Sequence, residues 1–126
     1  MRSVATDGAP RAIGPYAQAV IQGGFLFTSG QVPLDPASGK LVEGDLETAA
    51  ERVFDSLEAI LREAGLKFGD VVKTTVFLTR AEDFAPLNAV YARRFGGHRP
   101  ARSTVIVAAL PAGAPLEIDL IARVLG

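Results

Sequence analysis

Between residues 45 and 64 the apolar side chains Leu46, Ala49, Ala50, Val53, Leu57, Ile60, Leu61 and Ala64 recur every three or four positions, while Glu47, Glu51, Arg52, Asp55, Glu58, Arg62 and Glu63 fill the opposite side. Such a segment is a helix that lays one face on a core. Asp45 stands where a cap belongs and Gly65 where the helix ends. A second helix is predicted over residues 84–95: Phe84, Leu87, Tyr91 and Phe95 form one stripe, Asp83 is the expected N-cap, Pro86 falls in the first turn, and Gly96-Gly97 follow.

Around these two helices the chain reads as strands. Residues 17–22 and 25–29 flank Gly23-Gly24, a two-residue loop suited to a tight hairpin, and residues 71–79, 103–110 and 117–125 supply three more strands. The order strand, strand, helix, strand, helix, strand, strand predicts an α+β fold, a mixed β-sheet with two helices packed on one face. That layer leaves a surface unexplained. The run 104–109 and Phe25-Leu26-Phe27 are apolar on both faces, yet two helices cover only one face of such a sheet. The other face calls for a partner chain, so a homo-oligomer is expected, with sites in the clefts between subunits.

Composition narrows the chemistry. At 126 residues, without repeats or a linker-like stretch, the chain is expected to be one domain, 1–126. The formal charge of −1 argues against bulk electrostatic binding to nucleic acid or membrane. With no cysteine and one histidine, His98, neither a thiolate nucleophile nor a two-histidine metal motif can be drawn, so no metal is expected. No signal-like segment opens the chain and the longest clean apolar run, 105–110, cannot span a bilayer, which makes a cytoplasmic protein the expectation. Neither GxxxxGK[ST] nor GxGxxG is present, and Ser38-Gly39-Lys40 reads as a turn, so no cofactor is expected.

Residues 84–116 contain no Asp or Glu but hold Arg93, Arg94, His98, Arg99 and Arg102, a local positive field that suits a small anion. The plainer reading of Arg93 and Arg94 is the solvent face of the second helix, and of His98 a surface loop without an orienting partner. Arg102 follows Pro100-Ala101 at the mouth of an apolar strand, where a guanidinium needs a partner: a substrate carboxylate or phosphate, or a structural salt bridge. Glu117 and Asp119 alternate with Ile118 and Leu120, so both carboxylates share a face and either is a candidate base. A hairpin joined through residues 111–115 would set Arg102 and Glu117 on neighbouring strands, as clamp and base or as a cross-strand ion pair.

Several separated motifs, Ala12-Ile13-Gly14-Pro15-Tyr16, Thr28-Ser29-Gly30-Gln31, residues 70–77, Asn88 with Tyr91, Pro100-Ala101-Arg102-Ser103 and Leu116-Glu117-Ile118, resemble the RidA (YjgF) family of reactive-intermediate deaminases across essentially the whole chain. The resemblance implies a chorismate mutase-like homotrimer with intersubunit sites, and hydrolysis of 2-aminoacrylate and related enamines or imines to 2-keto acids and ammonia. Position by position it makes Arg102 the clamp for the substrate carboxylate and Glu117 the residue that orients the attacking water. Tyr16, Ser29 and Asn88 then close around the substrate, and Thr104 lines the site where many members carry cysteine. From the residues alone, the favoured readings are Tyr16 as an amphipathic core tyrosine, Ser29 as a turn donor and Asn88 as a cap or bridge. Two other functions compete: a non-catalytic trimeric binder of small carboxylates or of a protein partner, and RNA cleavage. The pairing of Arg102 with Glu117 speaks against the first, and the absence of an aromatic and basic strip against the second.

Overall fold

The computed structural model describes residues 1–124, so the predicted strand end at Leu125 lies outside the described residues. Helix α1 (Leu46–Glu63) begins where the sequence offers a cap, the Asp45 carboxylate accepting from the Thr48 amide and hydroxyl, both at 2.8 Å. At its other end Gly65 turns left-handed, at φ 76°. This lets the Gly65 amide donate to the Arg62 carbonyl and the Leu66 amide to the Leu61 carbonyl, satisfying two carbonyls of the last turn. Helix α2 (Phe84–Phe95) has the expected span but not the expected start. Asp83 belongs to a 3-10 turn over Ala81–Asp83 and its side chain caps nothing. Its backbone is already helical, at φ −81° and ψ −5°, rather than extended as a cap requires, and Pro86 at the third helical position offers no amide.

The sheet has six strands, in the order β1 (Arg2–Val4), β2 (Ala19–Gln22), β3 (Phe25–Thr28), β6 (Leu116–Arg123), β4 (Val71–Leu78), β5 (Ala101–Ile106). The sequence reading expected five. β1 escapes it because three residues cannot display an alternation. Gly23 and Gly24, at φ 62° and 82°, close the β2–β3 hairpin as expected. β5 runs parallel to β4, with α2 as the crossover between them, while β6 lies antiparallel to β4 on its other side. The anticipated hairpin of the last two strands is therefore absent: β4 separates β5 from β6, since a parallel β4–β5 pair leaves β6 to return on β4's free edge.

Both helices pack on one face, where Val76, Leu78, Leu116, Ile118 and Leu120 meet Phe54, Leu57, Ile60, Leu87 and Val90 in a buried core. On the opposite face Phe25, Phe27 and Val105 remain about 40% exposed, at 39%, 40% and 41%. Arg94 departs from its predicted solvent position. It crosses from α2 to α1, donating to Glu51 Oε1 at 2.8 Å and Asp55 Oδ1 at 2.9 Å, and lies over the rings of Phe54 and Phe68. Arg93 joins Glu51 at 3.3 Å. His98, expected to be unoriented, donates from Nε2 to the Val71 carbonyl at 2.6 Å and ties the loop after α2 to the start of β4. Among the described residues no helix is long and apolar enough to cross a membrane.

Candidate functional site

Register decides how the predicted residues are distributed. Arg102 on β5 is level with Thr74 on β4, and Thr74 is buried under α2, where its hydroxyl shares a 2.8 Å hydrogen bond with Tyr91. Arg102 accordingly projects toward the helices. Its Nη1 donates to Asn88 Oδ1 at 2.8 Å, and the guanidinium stands 4.7 Å from the Tyr91 ring centroid and 5.4 Å from that of Phe84. Asn88 and Tyr91 are three residues apart on α2, which puts both on the face that overlooks the edge strand. Among the described residues Arg102 has no carboxylate partner, so the structural salt bridge considered from sequence is not formed. Its positive charge is oriented but not neutralised. Thr104, two residues along the same face, buries a hydroxyl oxygen with no hydrogen-bond partner among the described residues.

Glu117 is level with Phe77, out of phase with the buried Val76 and Leu78, and so projects from the opposite face of the sheet. Asp119 shares that face, as the alternation predicted. Burial raises the proton affinity of Glu117, and the Asp119 charge adds to the effect. Burial also raises Asp119, against a hydrogen bond from Thr75 and the charge of Lys73, whose Nζ donates to Ser103 Oγ at 2.8 Å. The Glu117 carboxylate rests against Gly30: a Cβ on that glycine would stand 2.1 Å from Oε2. Only glycine leaves room there, a requirement that sequence reasoning did not find and that the neighbouring Ser29-Gly30 turn alone does not reveal.

The remaining predicted residues, Ser29 and Tyr16, precede Gly30 in the chain. Ser29 adjoins Gly30, and its Oγ donates to the Ala17 carbonyl at 2.6 Å, the turn-bonding role weighed from sequence. Tyr16 precedes Ala17, is 54% exposed, and accepts at its hydroxyl from the Ile13 amide at 3.3 Å. It lines a cavity of about 780 Å³ with the N-terminal segment, separate from the one beside Arg102. Within one protomer the six residues thus separate: Arg102, Asn88 and Thr104 on the helix side of β5, Glu117 and Ser29 at the Gly30 turn, and Tyr16 in the N-terminal segment that leads to β2. An oriented, unneutralised guanidinium stands in the first group and a carboxylate of raised proton affinity in the second, with β4 and the thickness of the sheet between them.

A two-layer α+β protein with an unneutralised arginine beside its edge strand is the class that fold and geometry define. The chain matches the family described as Endoribonuclease L-PSP over residues 6–124. It is 47% identical over 124 residues to the 2-iminobutanoate/2-iminopropanoate deaminase of Salmonella typhimurium, covering 96% of each chain. It is also 48% identical to the putative regulator AldR of Lactococcus lactis, covering 98% of each. The crystal structure of a putative endoribonuclease from Thermotoga maritima superposes with a TM-score of 0.96 at 52% identity, covering 100% of this chain and 99% of that one. The chain belongs to the RidA (YjgF) family.

Proposed function

We propose that the protein, a single domain over residues 1–126, is a hydrolytic deaminase of small 2-imino and enamino acids, 2-aminoacrylate among them. It would act in the cytoplasm, without a cofactor, at clefts between the subunits of a homotrimer. One observation carries the reading: an oriented, unneutralised Arg102 and a water-capable Glu117 occupy opposite faces of one sheet. A site using both requires two copies of the chain, and the exposed apolar face supplies a reason for copies to associate.

The chemistry asks little beyond positioning. An enamine tautomerises to an imine, whose C=N carbon is already electrophilic. Arg102, braced by Asn88, pairs with the substrate carboxylate and fixes that carbon in the cleft. The Glu117 carboxylate takes a proton from water as the oxygen adds to the carbon, then returns it to the nitrogen. The hydroxyl of the carbinolamine passes its proton through the same carboxyl to the nitrogen, and the C–N bond breaks as the carbonyl forms, so imine and water become 2-keto acid and ammonia. A carboxylate of raised proton affinity suits both proton transfers.

A second reading, a trimeric binder of small carboxylates without turnover, draws support from the regulator name of one relative and from Ser29, whose proton is committed to the Ala17 carbonyl. A coupled assay separates them. With 2-aminoacrylate generated by a serine dehydratase, pyruvate should appear faster when the protein is added; an unchanged rate contradicts the deaminase.

A further inference from the structure

The pocket beside Arg102, about 350 Å³, is lined by Asn88, Tyr91, Ala92, Arg99, Pro100 and Arg102, and holds two arginines without an acidic residue. A monocarboxylate substrate answers the charge of Arg102 alone. Arg99 is left over. We propose that Arg99 is a specificity residue for a second acidic group, so that the site favours 2-imino acids carrying a side-chain carboxylate, an inference that rests on the deaminase reading for its chemistry but not for its binding test.

Local structure fixes where the second charge stands. After α2 the chain turns at Gly96, with φ 61°, and the Arg99 Nη1 donates to the Gly96 carbonyl and, at 3.0 Å, to the His98 carbonyl. His98 is itself held to the Val71 carbonyl, so the loop that carries Arg99 is tied to β4 rather than free. These bonds occupy Nη1 and leave Nε and Nη2 without a partner among the described residues. No carboxylate neutralises Arg99 among the described residues, in contrast to Arg93 and Arg94, which α1 absorbs. Two like charges facing one cavity repel each other, and a ligand with two anionic ends removes that cost while making charge-assisted hydrogen bonds at both. Ala92 and Pro100 line the same pocket with small apolar surface, which suits a short methylene spacer. Arg99 is exposed, so its contribution is that of a solvated donor.

The test uses stable 2-keto acids of equal length, 2-oxoglutarate and 2-oxopentanoate, which differ only at the far end. By calorimetry the intact protein should bind 2-oxoglutarate more tightly, and Arg99→Gln should lower the ratio of the two affinities by about two- to fivefold, with Arg99→Lys restoring part of it. A ratio that is the same in the parent protein and Arg99→Gln overturns the proposal. Turnover of 2-aminoacrylate, measured in parallel, reports on the deaminase reading separately: its failure with a retained dicarboxylate preference removes the reaction and leaves Arg99's role in recognition.

Discussion

Gly30 and Glu117 form a unit in which one residue's missing side chain makes room for the other's carboxylate. Gly30→Ala should therefore displace Glu117 without unfolding anything, because the clash falls on the movable end of a side chain. Turnover should drop toward that of Glu117→Gln, a loss of roughly 10²-fold or more for a group in general acid-base catalysis, while the thermal midpoint stays near that of the parent. Equal losses of activity and stability would make the glycine structural. Glu117→Gln carries its own signature. A carboxyl with raised proton affinity contributes stability below its ordinary value of 4.5, and that contribution is lost as pH rises through the raised value. The amide removes the charge that burial penalises, so Glu117→Gln should raise the midpoint near neutral pH and leave it unchanged below about pH 4. A lowered midpoint at neutral pH would show that the ionised carboxylate serves the fold.

Arg94 joins the two helices through Glu51 and Asp55, and the direction in which Glu51 is shifted gives a test at the level of elements. The hydrogen bonds from Arg94 and Arg93 hold Glu51 below its ordinary 4.5 against a desolvation cost, so the staple's contribution is present above that value and is lost as pH falls through the lowered one. Arg94→Ala should cost about 1–2 kcal/mol at neutral pH, between an exposed pair and a buried one, and the gap in denaturant midpoint should narrow toward pH 3. A gap independent of pH would assign the cost to the packing over Phe54 and Phe68. Both helices, the glycine hairpin and five of the six strands were legible from periodicity and turn residues, because each is specified by its own side chains. The pairing of β5 with β4 was not, since doubly apolar residues 104–109 state that a strand is buried without stating beside what. The cap at Asp83 failed for a local reason, the 3-10 turn that gives Asp83 a helical backbone, with a proline at the third helical position. The bridge from Arg94 to α1 depends on a helix crossing that no single-segment pattern contains.

For the whole molecule, the sheet's two faces carry the account. The shared face of Glu117 and Asp119 could be read from alternation, and the need of Arg102 for a partner from its flanking residues, whereas the separation of Arg102 from Glu117 by β4 required the strand order. Sedimentation should give a trimer at micromolar concentration, and a stable monomer would contradict both the assembly and the divided site. The claim that Arg102 of one subunit works with Glu117 of another has a more direct test. Arg102→Met and Glu117→Gln, each inactive as a homotrimer, are co-assembled by joint refolding and assayed on freshly generated 2-aminoacrylate. Random mixing in a cyclic trimer joins an intact Arg102 to an intact Glu117 across about one quarter of the boundaries, so roughly that fraction of parental activity should return. Mixed trimers that stay as inactive as either parent variant would place both residues in a site within one chain and contradict the account.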